Sequence, residues 1–140
     1  MRCRKMREIL FRAKDVDTGK WVEGYYNRAY FAGKHVHYIN VHEFKMKYGS
    51  THYEYVYQPY QIDPSTLCQW TGLVDANGVK IWEGDLAIYC GHADEIGEIC
   101  WDDEDACFCL LTDNVTYTFS NIAGKWVEVI GSIHDKAVEE

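Results

Sequence analysis

The chain reads as an all-β protein, or at most a β-rich α+β one, and three observations carry that reading. Short runs rich in Val, Ile, Tyr, Phe and Trp recur along its 140 residues, separated by the Gly, Asn and Asp clusters that turn a chain. Several runs alternate with the period of two that belongs to a half-buried strand. No stretch shows the spacing of a long amphipathic helix, and only the tail "HDKAVEE" suggests a helical turn. Turn signals this closely spaced predict a strongly curved sheet or small barrel.

The first half is read as an N-terminal β-lobe over residues 1–60. "REILFRA" is followed by the turn "DVDTGK", in which Gly19 supplies a positive φ, and then by "WVEGYY". "KHVHYINVH" is strand-like with neither face consistently apolar, which suits an interface or an edge. "THYEYVYQ" alternates cleanly, with Thr51, Tyr53, Tyr55 and Tyr57 on one side and His52, Glu54, Val56 and Gln58 on the other. Pro59 and Pro64 flank "YQID" and mark the expected boundary, since proline disfavours regular structure on its N-terminal side. Met6 begins "MREILFRA", so residues 1–5 are read as an upstream-start extension.

The second half, residues 61–140, is read as the barrel portion, the two halves forming one compact unit. "QWTGLV" and "VKIW" enclose "DANG", and Asn77-Gly78 between two such runs predicts a hairpin with a type I′ turn. Asp75 is placed to accept amides within that turn. Gly84-Asp85 marks a second reversal, with the Asp85 carboxylate on loop amides. Val79, Ile81, Leu86 and Ile88 are the expected core residues. "DLAIYCG", "IGEICWDD", "ACFCLL", "VTYTF" and "WVEVIGSI" continue the run of short strands.

A family resemblance rests on these blocks. "MREILFRA", then "QWTGLVDANGVKIWEGDLAIY" with its TGL, DxNG and EGD elements, then "GEICWDD" and "VIGSIHD", stand in the order found in the YopX family of phage and prophage proteins, which the chain resembles over nearly its whole length. The resemblance implies coiled or bifurcated antiparallel sheets with an SH3-like barrel, no established activity, and a bacterial host cytoplasm. Residues 25–60 match no motif of the family. The cysteines at 90, 100, 107 and 109 lie outside its pattern.

Composition narrows the classes further. The 47% hydrophobic content is ordinary for a soluble domain, and no apolar run approaches the roughly 20 residues of a membrane span. The basic start is followed by too short an apolar stretch for a signal peptide. A cytoplasmic protein with no membrane partner is expected, and its six cysteines are read as free, mostly buried thiols, because they lack the spacing of a disulfide framework. Net charge is −8, split as 11 basic against 6 acidic residues over 1–60 and 3 against 16 over 61–140. Two oppositely charged halves attract within one molecule or head to tail between copies.

Candidate chemistry is sparse. Glu83 and Asp85 would need a pocket, a histidine or a lysine beside them to work as an acid/base pair, and none is identifiable. Asp75, Asn77, Gly78, Gly84 and Asp85 are therefore read as structural turn residues. No catalytic residue or cofactor is assigned, and the chain is not expected to be an enzyme. Zinc would draw on Cys90, His92, Cys100, Cys107 and Cys109, but the spacing is C-x-H, a lone Cys and C-x-C, without paired knuckles; no metal site is assigned. His35, His37 and His42 are a second possible metal cluster, but His35 and His37 share a strand face that His42 does not, unless the chain turns or bulges at Asn40. "DDED" lacks the alternating ligands of a calcium loop and reads as an exposed acidic turn.

Residues 25–60 hold nine of eleven tyrosines and four of six histidines. Tyr25, Tyr26, Arg28, Tyr30 and Lys34 combine aromatic and basic groups in the manner of a single-stranded nucleic-acid platform, although the net charge opposes phosphate. The leading expectation is a non-enzymatic phage accessory protein that works through protein contacts, with copies of itself and with a host or phage protein. The alternatives are nucleic-acid binding, an acidic DNA-mimicking inhibitor of a host protein, and a zinc- or thiol-dependent activity at the Cys/His cluster.

Overall fold

The structure, a computed structural model, describes residues 6–46, 49, 51–90, 92–119 and 124–135. The reading of residues 1–5 and that of a helical turn past Asp135 fall outside these residues. Among the described residues there are ten strands and one short 3₁₀ turn, Gly124–Trp126, so the fold is all-β. No helix among them is long and apolar enough to cross a membrane. The chain divides into two compact units, one spanning Ile9–Gln69 and the other running from Trp70 onward with the residues before Ile9. That division falls nine residues after the boundary expected at residue 60.

The Ile9–Gln69 unit is a ring. Strand β1 (Phe11–Asp15) pairs with β2 (Trp21–Phe31), β2 with β3 (Lys34–Met46), β3 with β4 (Tyr53–Val74), and β4 returns to β1, all antiparallel. Its core is Ala13, Ile39 and Ile62, with Phe11, Val22, Tyr26, Val41 and Leu67 packed around them. These positions follow the two-residue period: Val22 and Tyr26 on β2 and Ile39 and Val41 on β3 point to the same side of the sheet.

Both prolines lie inside β4, which corrects the expectation that they end a strand. Pro59 stands opposite Asn40 on β3, in a stretch of β4 with no β1 partner on its other side, the setting in which a strand tolerates a residue without an N–H. Pro64 occupies a bulge: Arg12 opposes Cys68 and Lys14 opposes Asp63, leaving residues 64–67 against Ala13 alone. Side chains replace the lost ladder there. Lys14 N donates to Thr66 Oγ1 (2.8 Å), Thr66 Oγ1 donates to the Asp63 carbonyl (2.7 Å), and Ser65 N and Oγ donate to Asp63 Oδ1 at 3.0 and 2.8 Å.

The β2–β3 connection has an unadvertised type I′ geometry. Ala32 and Gly33, between Phe31 and Lys34, both have positive φ, 53° and 80°, which matches the twist of the flanking strands. A left-handed conformation strains alanine but not glycine. Ala32→Gly should therefore stabilise the protein by about 0.5–1 kcal/mol, read as a rise of roughly 2–4 °C in Tm; an unchanged or lower Tm would show that the hairpin relaxes without cost.

The second unit holds the end of β4 paired with β5 (Lys80–Trp82), and a five-stranded antiparallel sheet in the order β10 (Val127–Ser132), β6 (Asp85–Tyr89), β7 (His92–Asp102), β8 (Cys107–Leu111), β9 (Thr116–Thr118). Its core is Ile81, Ala87, Ile99, Leu110 and Val127. Of the four core residues expected from sequence, only Ile81 is fully buried. Val79 is 50% exposed, and Leu86 and Ile88 are half-buried on the face of β6 away from Ala87. Alternation identifies two faces of a strand, and the larger side chains do not decide which one is inside.

The central hairpin turn differs from the predicted type. Gly78 has φ 79°, but Asn77 does not have positive φ. Gly78 N donates to the Asp75 carbonyl (3.1 Å) and Asp75 N to that of Val79 (2.7 Å). This is a three-residue loop in which a type I turn is followed by a left-handed glycine. The difference follows from Asp75, whose Oδ1 accepts from Asn77 N (2.8 Å) and Val79 N (2.9 Å) and so holds the turn's own amides.

Candidate functional site

The Ile9–Gln69 unit displays an aromatic face opposite its core. Register places Tyr25 opposite Asn40 and Asn40 opposite Pro59, and it places His42 opposite Tyr57. Residues directly opposed across an antiparallel ladder share a face, as do residues two apart along a strand. Tyr25, Asn27, Asn40, His42, Tyr53, Tyr55 and Tyr57 thus lie on one side, while Tyr26, His35, His37 and Ile39 lie on the other. Tyr53, Tyr55 and Tyr57 are 67%, 54% and 52% exposed and Tyr25 is 46% exposed. The alternation marked a half-buried strand without saying which side is inward; the tyrosines face outward, and Val56 on the opposite side is the half-buried residue.

These rings are held rather than loose. His42 is packed among Tyr25, Tyr55 and Tyr57, with ring centroids 5.8, 5.5 and 4.9 Å away, and its Nδ1 shares a hydrogen bond with the Tyr55 hydroxyl. Tyr57 donates its hydroxyl to Asn40 Oδ1 (2.7 Å). Asn40 Nδ2 donates to Asn27 Oδ1 (2.5 Å) and to the Tyr25 carbonyl (3.3 Å). Asn40 is itself 8% exposed. A buried amide therefore anchors an exposed set of rings, which reduces the conformational entropy that binding would otherwise cost.

The nucleic-acid set proposed from sequence is not assembled as one platform. Tyr25 and Lys34 lie on the aromatic face, whereas Tyr26, Arg28 and Tyr30 lie on the other. Tyr26 packs against the core, with Phe11 at 5.7 Å and the His37 ring stacked at 5.9 Å. His35 meets Tyr30 edge-on at 5.3 Å. His35 and His37 share a face and His42 does not, as the spacing implied. Beside them an open cleft of about 580 Å³ is lined by Asp15, His35, His37, Ile62 and Asp63 among others. Its carboxylates serve turns: Asp15 accepts from Asp17 N (2.9 Å) and Thr18 Oγ1 (3.3 Å), and Asp63 accepts from Ser65.

In the second unit, Asp75 and Asp85 of the "QWTGLVDANGVKIWEGDLAIY" block each have a backbone task. Asp75 caps its turn and also accepts from Val129 N on β10 at 3.0 Å. Asp85, 1% exposed, accepts from Trp82 N at 2.8 Å, across the reversal at Gly84, whose φ is 85°. Glu83 is half-buried. Of the cysteine set, register brings Cys100 opposite Cys109 and places Cys107 on the same face. Cys90 is exposed beyond the end of β6, and the His92 side chain lies outside what is described. Among the described residues no group of three or more His, Cys, Asp or Glu is arranged to hold a metal ion. The acidic run is a turn in which Asp102 Oδ1 accepts from Glu104 N (3.0 Å) and Asp105 N (3.4 Å).

Sequence reasoning missed Asn40, which organises the aromatic face, and Tyr117, which stacks on Tyr89 at 4.8 Å and donates its hydroxyl to Glu95 (3.1 Å). Burial and the Glu95 partner push the Tyr117 phenol above its ordinary pKa. An Asn within "YIN" carries no sequence signal for this role; only the register reveals it.

Comparison with known proteins places the chain, though not these features, in a family. The family model described as YopX protein matches residues 10–138. The crystal structure of protein EF1440 from Enterococcus faecalis is similar, with a TM-score of 0.58 and 24% identity over 92% of this chain and 95% of that one; at that identity the likeness concerns the fold. A search of curated proteins finds no match.

Proposed function

The chain belongs to the YopX protein family, and from that membership we propose that it is a phage- or prophage-encoded accessory protein that acts in the bacterial cytoplasm by binding protein, without catalysis. Its first partner is a second copy of itself, engaged through the aromatic face of β2, β3 and β4. The observation that carries this reading is the cluster of Tyr25, His42, Tyr55 and Tyr57, exposed yet held by the Tyr57–Asn40 and Tyr55–His42 hydrogen bonds and by ring packing on His42. Ordered tyrosines supply contact area and hydroxyl partners at low entropic cost, which is why they concentrate at interfaces. A contiguous exposed aromatic patch is also unusual on a monomer. The opposite charges of the two halves of the sequence favour head-to-tail approach of copies.

Size-exclusion chromatography with light scattering, at low and high salt, tests this. The expected result is a dimer or larger species whose dissociation constant rises with salt. Tyr55→Ser and Tyr57→Ser should each weaken association by about tenfold or more. A strict monomer at both ionic strengths would overturn self-association. The outward tyrosines, spaced by two on β4, also favour a second reading, base stacking. Salt-sensitive binding of a mixed-sequence oligonucleotide that Tyr55→Ser abolishes would replace the first reading with that one.

A further inference from the structure

The cysteines of the second unit form a specific cross-strand arrangement. Cys100 on β7 and Cys109 on β8 are directly opposed, and Cys107 opposes Asp102 one row along. Ile99 and Leu110, the neighbouring opposed pair, belong to the core, so the thiols share the other face of the sheet. The sulfurs of Cys100 and Cys109 are 3.2 Å apart. Cys109 is 2% exposed, whereas Cys100 is only half-buried.

We propose that Cys100 and Cys109 are an oxidative modification site, closing to a reversible intramolecular disulfide. Directly opposed residues of an antiparallel pair have Cα atoms about 4.5–5.5 Å apart, inside the range a disulfide spans. The competing pairs are worse. Cys107 and Cys109 are two apart on one strand, about 6.8 Å between Cα atoms and near the limit of bridging. Cys100 and Cys107 are diagonal neighbours, about 7–8 Å apart. Of the three pairs, Cys100–Cys109 alone lies well inside the bridging range.

The two thiols have different roles. Cys100, nearer solvent, attacks as thiolate on a low-molecular-weight disulfide such as oxidised glutathione. One glutathione leaves as its thiolate, and a Cys100–glutathione mixed disulfide remains. Burial first, and the adjoining Cys100 thiol second, push the Cys109 thiol up to about 12, so it stays protonated until the mixed disulfide is beside it. Cys109 then attacks the Cys100 sulfur, and its proton passes to the second glutathione, which leaves as the thiol. Two protein thiols are oxidised and one glutathione disulfide is reduced to two thiols. In a reducing compartment such a bond is transient, a redox-responsive pin between β7 and β8.

The experiment uses the full chain. After incubation with oxidised glutathione and alkylation of remaining thiols, the protein is cut with a protease specific for acidic residues. The acidic turn Asp102–Asp105 lies between the two cysteines, so cleavage there separates them unless a disulfide joins their peptides. The linked peptide pair should appear, should survive in Cys107→Ser and should vanish in Cys100→Ser, with circular dichroism checking that each variant is folded. The internal bridge should outweigh the glutathione adduct by about tenfold or more, reflecting the high effective concentration of opposed thiols. A stable glutathione adduct at Cys100, or a link that Cys107→Ser removes, would overturn the assignment.

Discussion

Asp75→Ala is expected to lower the unfolding free energy by roughly 3–5 kcal/mol, because one carboxylate serves three backbone amides that nothing else replaces. Asp75 is 4% exposed. Its Oδ1 accepts from Asn77 N (2.8 Å) and Val79 N (2.9 Å), and its Oδ2 accepts from Val129 N (3.0 Å). The turn therefore also docks on β10, where Ala76 N donates to the Val127 carbonyl (2.9 Å). Hydrogen bonds to a charged acceptor contribute about 1.5–3 kcal/mol each, and an orphaned amide in a half-buried strand costs a similar amount. Asp75→Asn should fall between: its Oδ1 still serves the turn, but its Nδ2 would point a donor at the Val129 donor. Urea unfolding measures the series, with the midpoint expected to fall in the order wild type, Asn, Ala at constant m-value. An alanine variant within about 1 kcal/mol of wild type would show that solvent satisfies these amides.

That prediction turns on a residue the sequence singles out, and the contrast with others shows where legibility ends. Asp75, Gly78, Gly84 and Asp85 are readable because turn chemistry is local: the backbone angle or amide each one serves is a few residues away. Even so, the long-range bond from Val129 to Asp75 spans 54 positions and has no local signature. The strands are readable because period-two alternation is local as well. Which face is inward is not, since it depends on neighbours supplied by other strands. Tyrosine suits either setting, so Tyr53, Tyr55 and Tyr57 gave no indication of facing outward. On β6, Ala87 rather than Leu86 or Ile88 takes the core position, because the space there is set by Ile81, Ile99 and Val127.

Proline misled for a related reason. Its missing N–H forbids a central, fully paired position, but Pro59 and Pro64 occupy positions where β4 is unpaired on one side or bulged. The rule is about pairing, which a sequence does not display. The cysteine pair lies between these cases. Once the acidic turn is taken as the centre of a hairpin, pairing Asp102 with Cys107 forces Cys100 onto Cys109. The signal was present, but it required the register to be counted outward from the turn.

Gly24→Ala should cost about 3 kcal/mol, at the upper end for overpacking, and should disable the aromatic face along with the fold's stability. "WVEGYY" sets a lone glycine among strong strand formers, the mark of a close backbone approach. Gly24 is buried in β2, and a Cβ there would be driven into the carbonyl oxygen of Asn40 and to 3.0 Å from Ile39 Cγ2. A carbonyl in a ladder cannot swing aside as a side chain can. Relief means opening β2 from β3 at the Tyr25–Asn40 pair, and Asn40 is the residue that holds Tyr57, Asn27 and the Tyr25 carbonyl. Gly19→Ala is the matched comparison: Gly19 has φ 72° with nothing within 4 Å of its would-be Cβ, so alanine there meets only backbone strain, about 1 kcal/mol. Urea unfolding of both variants, with light scattering on each at a temperature where it is folded, separates the effects. Gly24→Ala should be the less stable and should self-associate at least tenfold more weakly, about 1.4 kcal/mol, while Gly19→Ala associates as wild type does. Equal stabilities would show that β2 and β3 yield readily at Asn40, and unchanged association in Gly24→Ala would detach the aromatic face from the packing beneath it.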